Sequence, residues 1–255
     1  MTTRDSTIRI DVDREHIVGT LVNPATMVPG VLFVHGWGGT QEQYLTRARE
    51  IAKLGCVCLT IDLRGHGGSG NRQEAVTRED NLRDVMAAYD KLVEQPHVDR
   101  STIAVVGSSY GGYLAAILSS LRPVRLLGLR VPALYKDEDW ARPKEDLKKY
   151  ELAAYRRGFV SPDENRALGA CAMFEGDVLL VESEHDDIIP HPVFANYRAA
   201  FTNVRSLTYR LIQGADHGLS EPSCQQAYTS LLVTWLTEML KGARDDASSR
   251  KAPSG

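Results

Sequence analysis

A serine, a histidine and a pair of aspartates stand in this chain at positions from which they could carry out acyl transfer. Ser109 lies in Gly107-Ser108-Ser109-Tyr110-Gly111, a G-x-S-x-G run. Glycines on either side of such a serine let a strand and a helix come close while the hydroxyl is held clear of both. Ser108, one place earlier, would point elsewhere. A serine hydroxyl becomes a good nucleophile only when a base takes its proton, and the base needs a carboxylate to fix its tautomer and stabilise its charged form. His217, in Gly214-Ala215-Asp216-His217-Gly218, supplies the base, and Asp186 or Asp187 supplies the carboxylate. The oxyanion that forms on attack needs backbone N–H donors. One is the N–H of Tyr110, at a helix start; the other is assigned to Trp37 in His35-Gly36-Trp37-Gly38-Gly39, where glycines let the backbone approach a ligand.

These residues need a scaffold that gathers them, and the hydrophobic pattern provides one. The run Thr102-Ile103-Ala104-Val105-Val106 before Ser109 is a continuous, largely β-branched run, as expected of a parallel strand covered on both faces, and the Ala/Leu run after it reads as a helix packed on that sheet. Val31-Leu32-Phe33-Val34 ends at His35, residues 56–61 end at Asp62, residues 124–129 form a strand, residues 177–182 end at the acidic run, and residues 206–212 end just before His217. Helices are expected over residues 41–54, 78–94 and 222–240. Two alternating segments, residues 6–12 and 16–22, form an antiparallel hairpin at the N-terminus. Strands alternating with helices make an α/β fold with a mostly parallel sheet covered on both faces, and ligands of such sheets gather at the carboxyl ends of the strands, where every motif above lies. A single domain over residues 1–243 is expected, with a short lid within 132–170 and a disordered tail over 244–255. The mixed charges and helical stripe of residues 135–157 suggest that lid, with Trp140 and Tyr150 facing substrate.

Other chemistries compete less well. The glycine-rich segment after residue 34 lacks the Lys-Ser/Thr of a phosphate loop, and the one after residue 61 is not followed directly by the helix of a dinucleotide fingerprint; His66 reads as a structural loop residue. His185, Asp186, His191, Asp216 and His217 are metal-ligand types, but no pair has the helical spacing of a zinc hydrolase, so no metal is expected and no cofactor is needed. Cys56, Cys58, Cys171 and Cys224 have no C-x-x-C pairing and read as small buried hydrophobes. A net charge of -3 gives no basic excess, which argues against nucleic acid as a partner. The charged N-terminal residues and the lack of a long apolar run predict a cytoplasmic protein with no membrane span. The oligomeric state is open, a homodimer included.

Ser109 in its G-x-S-x-G turn, His217 in Gly-x-Asp-His-Gly and the chain order Ser, Asp, His together resemble the α/β-hydrolase superfamily, over about residues 31–240. The likeness is to its serine esterase or dienelactone-hydrolase-like and serine aminopeptidase-like branches. It implies a fold of about eight strands, with Ser109 on the nucleophile turn and Gly36 shaping an oxyanion loop whose donors are the N–H groups of Trp37 and Tyr110. In that family the acid stands four residues before the proline of a G-x-x-D-x-x-V-P pattern; set on residues 183–190, this selects Asp186, with Ser183 in place of the usual glycine. The implied activity is hydrolysis of a small ester or other acyl substrate through an acyl-enzyme. A small-peptide or amide hydrolase and a thioesterase share that chemistry, and a non-hydrolytic binding protein or cofactor-free haloperoxidase would share the fold.

Overall fold

The computed structural model describes residues 4–23, 28–70 and 72–249 of the 255-residue chain. Its frame is one eight-stranded sheet in the order β1-β2-β4-β3-β5-β6-β7-β8. Strands β1 (Arg4–Val12) and β2 (Glu15–Asn23) form the expected antiparallel hairpin, whose turn puts Asp13 at φ 55°. Strand β2 runs antiparallel to β4 (Val57–Ile61), and from there every neighbour is parallel: β3 (Val28–Val34), β5 (Val98–Ser108), β6 (Leu126–Arg130), β7 (Asp177–His185) and β8 (Ser206–Asp216).

The continuous apolar runs are the inner strands. Every residue of β3, β4 and β6 is buried, whereas β8 at the open edge is largely half-exposed. Alternate side chains of each strand feed two separate cores. Leu32 and Val34 point with Leu59 and Val105 to one face, which α2 (Arg78–Val93), α3 (Tyr110–Leu118), α5 (Arg166–Met173) and α6 (His191–Ala200) cover. Val31 and Phe33 point with Val106 and Val181 to the other, covered by α1 (Glu42–Ala52) and α7 (Pro222–Ser249) through Tyr44, Ile51, Leu232 and Trp235. Each such buried side chain contributes about 1.5–3 kcal/mol. Helix α3 buries all nine of its residues, while α4 (Lys149–Tyr155) buries none. The turn at Ser109 is therefore anchored by the most deeply buried helix of the fold's centre, and residues 149–155 lie on its surface.

All four cysteines are buried. Helix α7 continues to Ser249, so residues 244–249 are helical where the sequence suggests disorder; residues 250–255 lie outside the described residues. Among the described residues no helix is long and apolar enough to cross a membrane.

Candidate active site

Strand β5 delivers Ser109 on a turn that only glycine neighbours allow. A Cβ on Gly107 would lie 2.3 Å from the Gly111 carbonyl oxygen, and one on Gly111 would lie 2.2 Å from that of Val34. The chain reverses at Ser109 itself, with φ 52° and ψ -118°, a conformation costly for a residue with a side chain. It is held from both sides: Ser109 N–H donates to the Arg130 carbonyl (2.9 Å), and the Ser109 carbonyl accepts from Ala133 N–H (2.9 Å). Val131 after β6 and Leu219 after β8 also have positive φ, at 41° and 54°, so strained backbone collects at three strand ends around one place.

The structure brings Ser109, His217 and Asp186 into one hydrogen-bonded row. His217 Nε2 lies 3.0 Å from Ser109 Oγ, and His217 Nδ1 lies 2.7 Å from Asp186 Oδ2. A carboxylate only accepts, so the ring proton sits on Nδ1 and Nε2 faces Ser109 Oγ as an acceptor. The other oxygen of Asp186, Oδ1, accepts from the backbone N–H groups of Ile188 (2.9 Å) and Ile189 (2.8 Å), which fixes the carboxylate. Its side chain is 2% exposed, whereas Asp187 is exposed. Ser108 is turned away from His217; its Oγ accepts from Arg130 Nε at 3.1 Å.

Two backbone N–H groups near Ser109 are without a backbone partner among the described residues. Tyr110 opens α3, so its N–H has no partner within the helix. Trp37 N–H makes no hydrogen bond among the described residues. A Cβ on Gly36 would lie 3.3 Å from Ser109 Cβ, so Gly36 marks how closely the loop passes the serine. His35 pins this loop: its Nδ1–H donates to the Gly36 carbonyl (2.7 Å) and its Nε2 accepts from Leu63 N–H (3.0 Å). Burial pushes the His35 pKa down to about 4, so the ring stays neutral in that double role. The Trp37 ring stands edge-on to His66 and Tyr110, with centroids 4.6 and 5.3 Å away, and Lys144 Nζ lies 4.1 Å from its centroid. Burial, first, and neighbouring Arg156 lower the Lys144 pKa to about 7. Below the turn, the Tyr110 hydroxyl donates to Asn81 Oδ1 (3.1 Å), and Asn81 Nδ2 donates to Asp84, which pairs with Arg64 at 2.7 Å.

The second glycine-rich loop, after β4, is closed on itself. Asp62 Oδ1 accepts from Gln41 N–H (2.8 Å), and Oδ2 accepts from Gln41 Nε2 (3.1 Å) and Gly68 N–H (3.0 Å). An internal carboxylate thus holds the amide that a phosphate would have used.

A cleft of about 300 Å³ opens beside Ser109, lined among others by Gly36, Trp37, Arg47, Arg130, His217 and Tyr228. Sequence reasoning did not single out Arg47 or Arg130. The signal available for Arg130 was a charged residue ending a fully apolar strand. Trp140 and Tyr150 do not line this cleft. Trp140 is half-buried beneath the Arg166 guanidinium, 3.8 Å from its ring centroid, and Tyr150 is 70% exposed. The expected lid segment meets the site through Lys144 instead. His191 Nδ1 lies 2.9 Å from Glu182, and His185 is exposed beside Glu184.

The sequence profile of the alpha/beta hydrolase family matches residues 31–231, so the chain belongs to that family. It is 33% identical over 241 residues to a probable dipeptidyl-aminopeptidase B of Emericella nidulans, an alignment covering 86% of this chain and 26% of that one. It is 28% identical over 125 residues to the acylamino-acid-releasing enzyme of Rattus norvegicus, covering 44% of this chain and 16% of the relative. The chain thus spans about a quarter or less of these relatives' length. Est1E from Butyrivibrio proteoclasticus, solved with ferulic acid bound, superposes with a TM-score of 0.72 over 92% of this chain and 99% of its own, at 17% identity, a likeness of fold.

Proposed function

We propose that this member of the alpha/beta hydrolase family cleaves small carboxylic esters through an acyl-enzyme on Ser109. The observation that carries the reading is the row from Ser109 Oγ to His217 Nε2 and from His217 Nδ1 to Asp186 Oδ2, at 3.0 and 2.7 Å. Ser109 Oγ attacks the ester carbonyl as its proton passes to Nε2 of His217. Asp186, held by two backbone N–H groups, stabilises the imidazolium and keeps the ring aligned. The oxygen that becomes negative is met by the N–H groups of Trp37 and Tyr110. Collapse of the tetrahedral intermediate expels the alcohol, which takes the proton from His217. Water then enters, is deprotonated by the same nitrogen, and releases the acid.

The likeness to a dipeptidyl-aminopeptidase favours a second reading with the same machinery, in which the acyl group is aminoacyl and the leaving group an amine. Esters come first because their leaving groups need less proton assistance. A panel of 4-nitrophenyl esters, thioesters and aminoacyl amides decides between them. In either case a fluorophosphonate should label the protein once. Ser109→Ala should abolish that label and lower kcat at least about 10⁴-fold while the protein stays folded. Labelling that persists in Ser109→Ala and vanishes in Ser108→Ala would remove Ser109 from the mechanism.

A further inference from the structure

Among the described residues, the cleft beside Ser109 is lined by two guanidinium groups and by no carboxylate to match them. Arg47 on α1 is 9% exposed and Arg130 at the end of β6 is 7% exposed, and both line the cleft. Neither makes an ion pair among the described residues. Their partners are neutral. Arg130 donates to Ser108 Oγ and to the His217 carbonyl (2.9 Å), and Arg47 Nη1 donates to the Gln43 carbonyl (2.7 Å). Arg47 Nε is buried and meets no acceptor. Both groups lie against one ring, Tyr228, at 5.1 and 5.7 Å from its centroid. Asp186, whose carboxylate acts on Arg130 through space, already uses both oxygens on Ile188, Ile189 and His217.

Two like charges taken out of water without a counter-charge oppose folding, and a chain keeps such an arrangement where a ligand supplies the missing charge. The buried, unpartnered Nε of Arg47 belongs to the planar edge with which a guanidinium grips the two oxygens of a carboxylate. Because the same small cleft contains Ser109 and His217, that carboxylate and the reacting carbonyl belong to one molecule and stand a few atoms apart. Resting on the acyl-transfer reading of Ser109, we infer that the substrate is an anionic ester, one that carries a free carboxylate which Arg47 and Arg130 bind within the cleft.

The test compares charged esters with uncharged near-isosteres on the wild-type protein. 4-Nitrophenyl hydrogen glutarate against 4-nitrophenyl methyl glutarate places the charge on the acyl side. 4-Acetoxybenzoate against its methyl ester places it on the leaving group. In at least one pair kcat/KM should favour the anion about 10-fold or more, a preference that salt weakens. Arg47→Gln and Arg130→Gln should bring that ratio toward one, and Arg47→Lys should keep part of it. In parallel, calorimetry should show glutarate binding to Ser109→Ala. Hydrolysis with no preference in either pair overturns the inference whatever the variants do, and leaves the hydrolase reading intact. If no ester is cleaved, the hydrolase reading fails and calorimetry decides alone: glutarate binding sustains the anion site, and its absence overturns it.

Discussion

Asp62 and Asp186 make an instructive pair. Each is a carboxylate buried at the carboxyl end of a parallel strand, and each holds the loop that follows by accepting backbone N–H groups. Asp62 uses both oxygens on its own surroundings, Gln41 and Gly68. Asp186 uses one oxygen on Ile188 and Ile189 and keeps the other for His217. The difference is one lone-pair direction, and it separates a residue that shapes the molecule from one that can tune a base. Residue type and strand-end position are shared, so neither separates the two; the oxygen that Asp186 gives to His217 does.

Substitutions can break this contrast, and the largest effect belongs to Asp186. On the proposed mechanism Asp186→Asn offers His217 an amide in place of the carboxylate, and kcat should fall about 10⁴-fold with the fold retained. Asp187→Asn, on an exposed residue, should change kcat less than about threefold. The reverse ranking would move the role to Asp187. Next comes His35, which joins the Gly36 turn to the start of the Asp62 loop. Its folded pKa of about 4 lies below the ordinary 6.5, so the unfolded chain binds the proton more readily. Its contribution is therefore present above pH 6.5 and lost as pH falls toward 4, roughly 3 kcal/mol in all. The stability difference between wild type and His35→Gln, measured by urea unfolding, should decline across that window and be flat above it; a flat difference throughout would show that the ring is not buried as a neutral hinge pin. Smallest is Asp62→Asn, which leaves one amide facing N–H donors and should lower stability by about 2 kcal/mol with kcat within about twofold. A large fall in kcat in the folded Asp62→Asn protein would erase the distinction between the two aspartates.

The sequence shows most of the frame because burial on both faces leaves a legible mark. Residues 31–34 and 103–106 are uninterrupted apolar runs, and the glycines around Ser109 are demanded by contacts shorter than any Cβ could bear. The placement of His217 and Asp186 beside Ser109 follows from strands ending at one edge of a parallel sheet. The order β1-β2-β4-β3 was not legible, because it depends on which edges pair and not on any local pattern. Arg47 and Arg130 were hidden for another reason: an arginine is ordinarily solvated, and its sequence neighbours do not say that this one is roofed by Tyr228. Trp140 and Tyr150 illustrate the converse. Aromatic residues on a charged segment suggest a substrate wall, yet one is covered by Arg166 and the other faces solvent.

The backbone at Ser109 carries a further consequence for how this protein can change. At φ 52° and ψ -118° the residue occupies a region that glycine enters freely and other residues enter at a cost of about 1–3 kcal/mol. Ser109→Ala keeps that strain, whereas Ser109→Gly relieves it, so the glycine variant should melt higher than the alanine variant although both lack the hydroxyl. A selection for thermal endurance alone would therefore drift toward discarding the one side chain on which the proposed chemistry depends. Any directed evolution of this scaffold for heat tolerance needs activity in the same screen, or the fittest survivor will be an inert one.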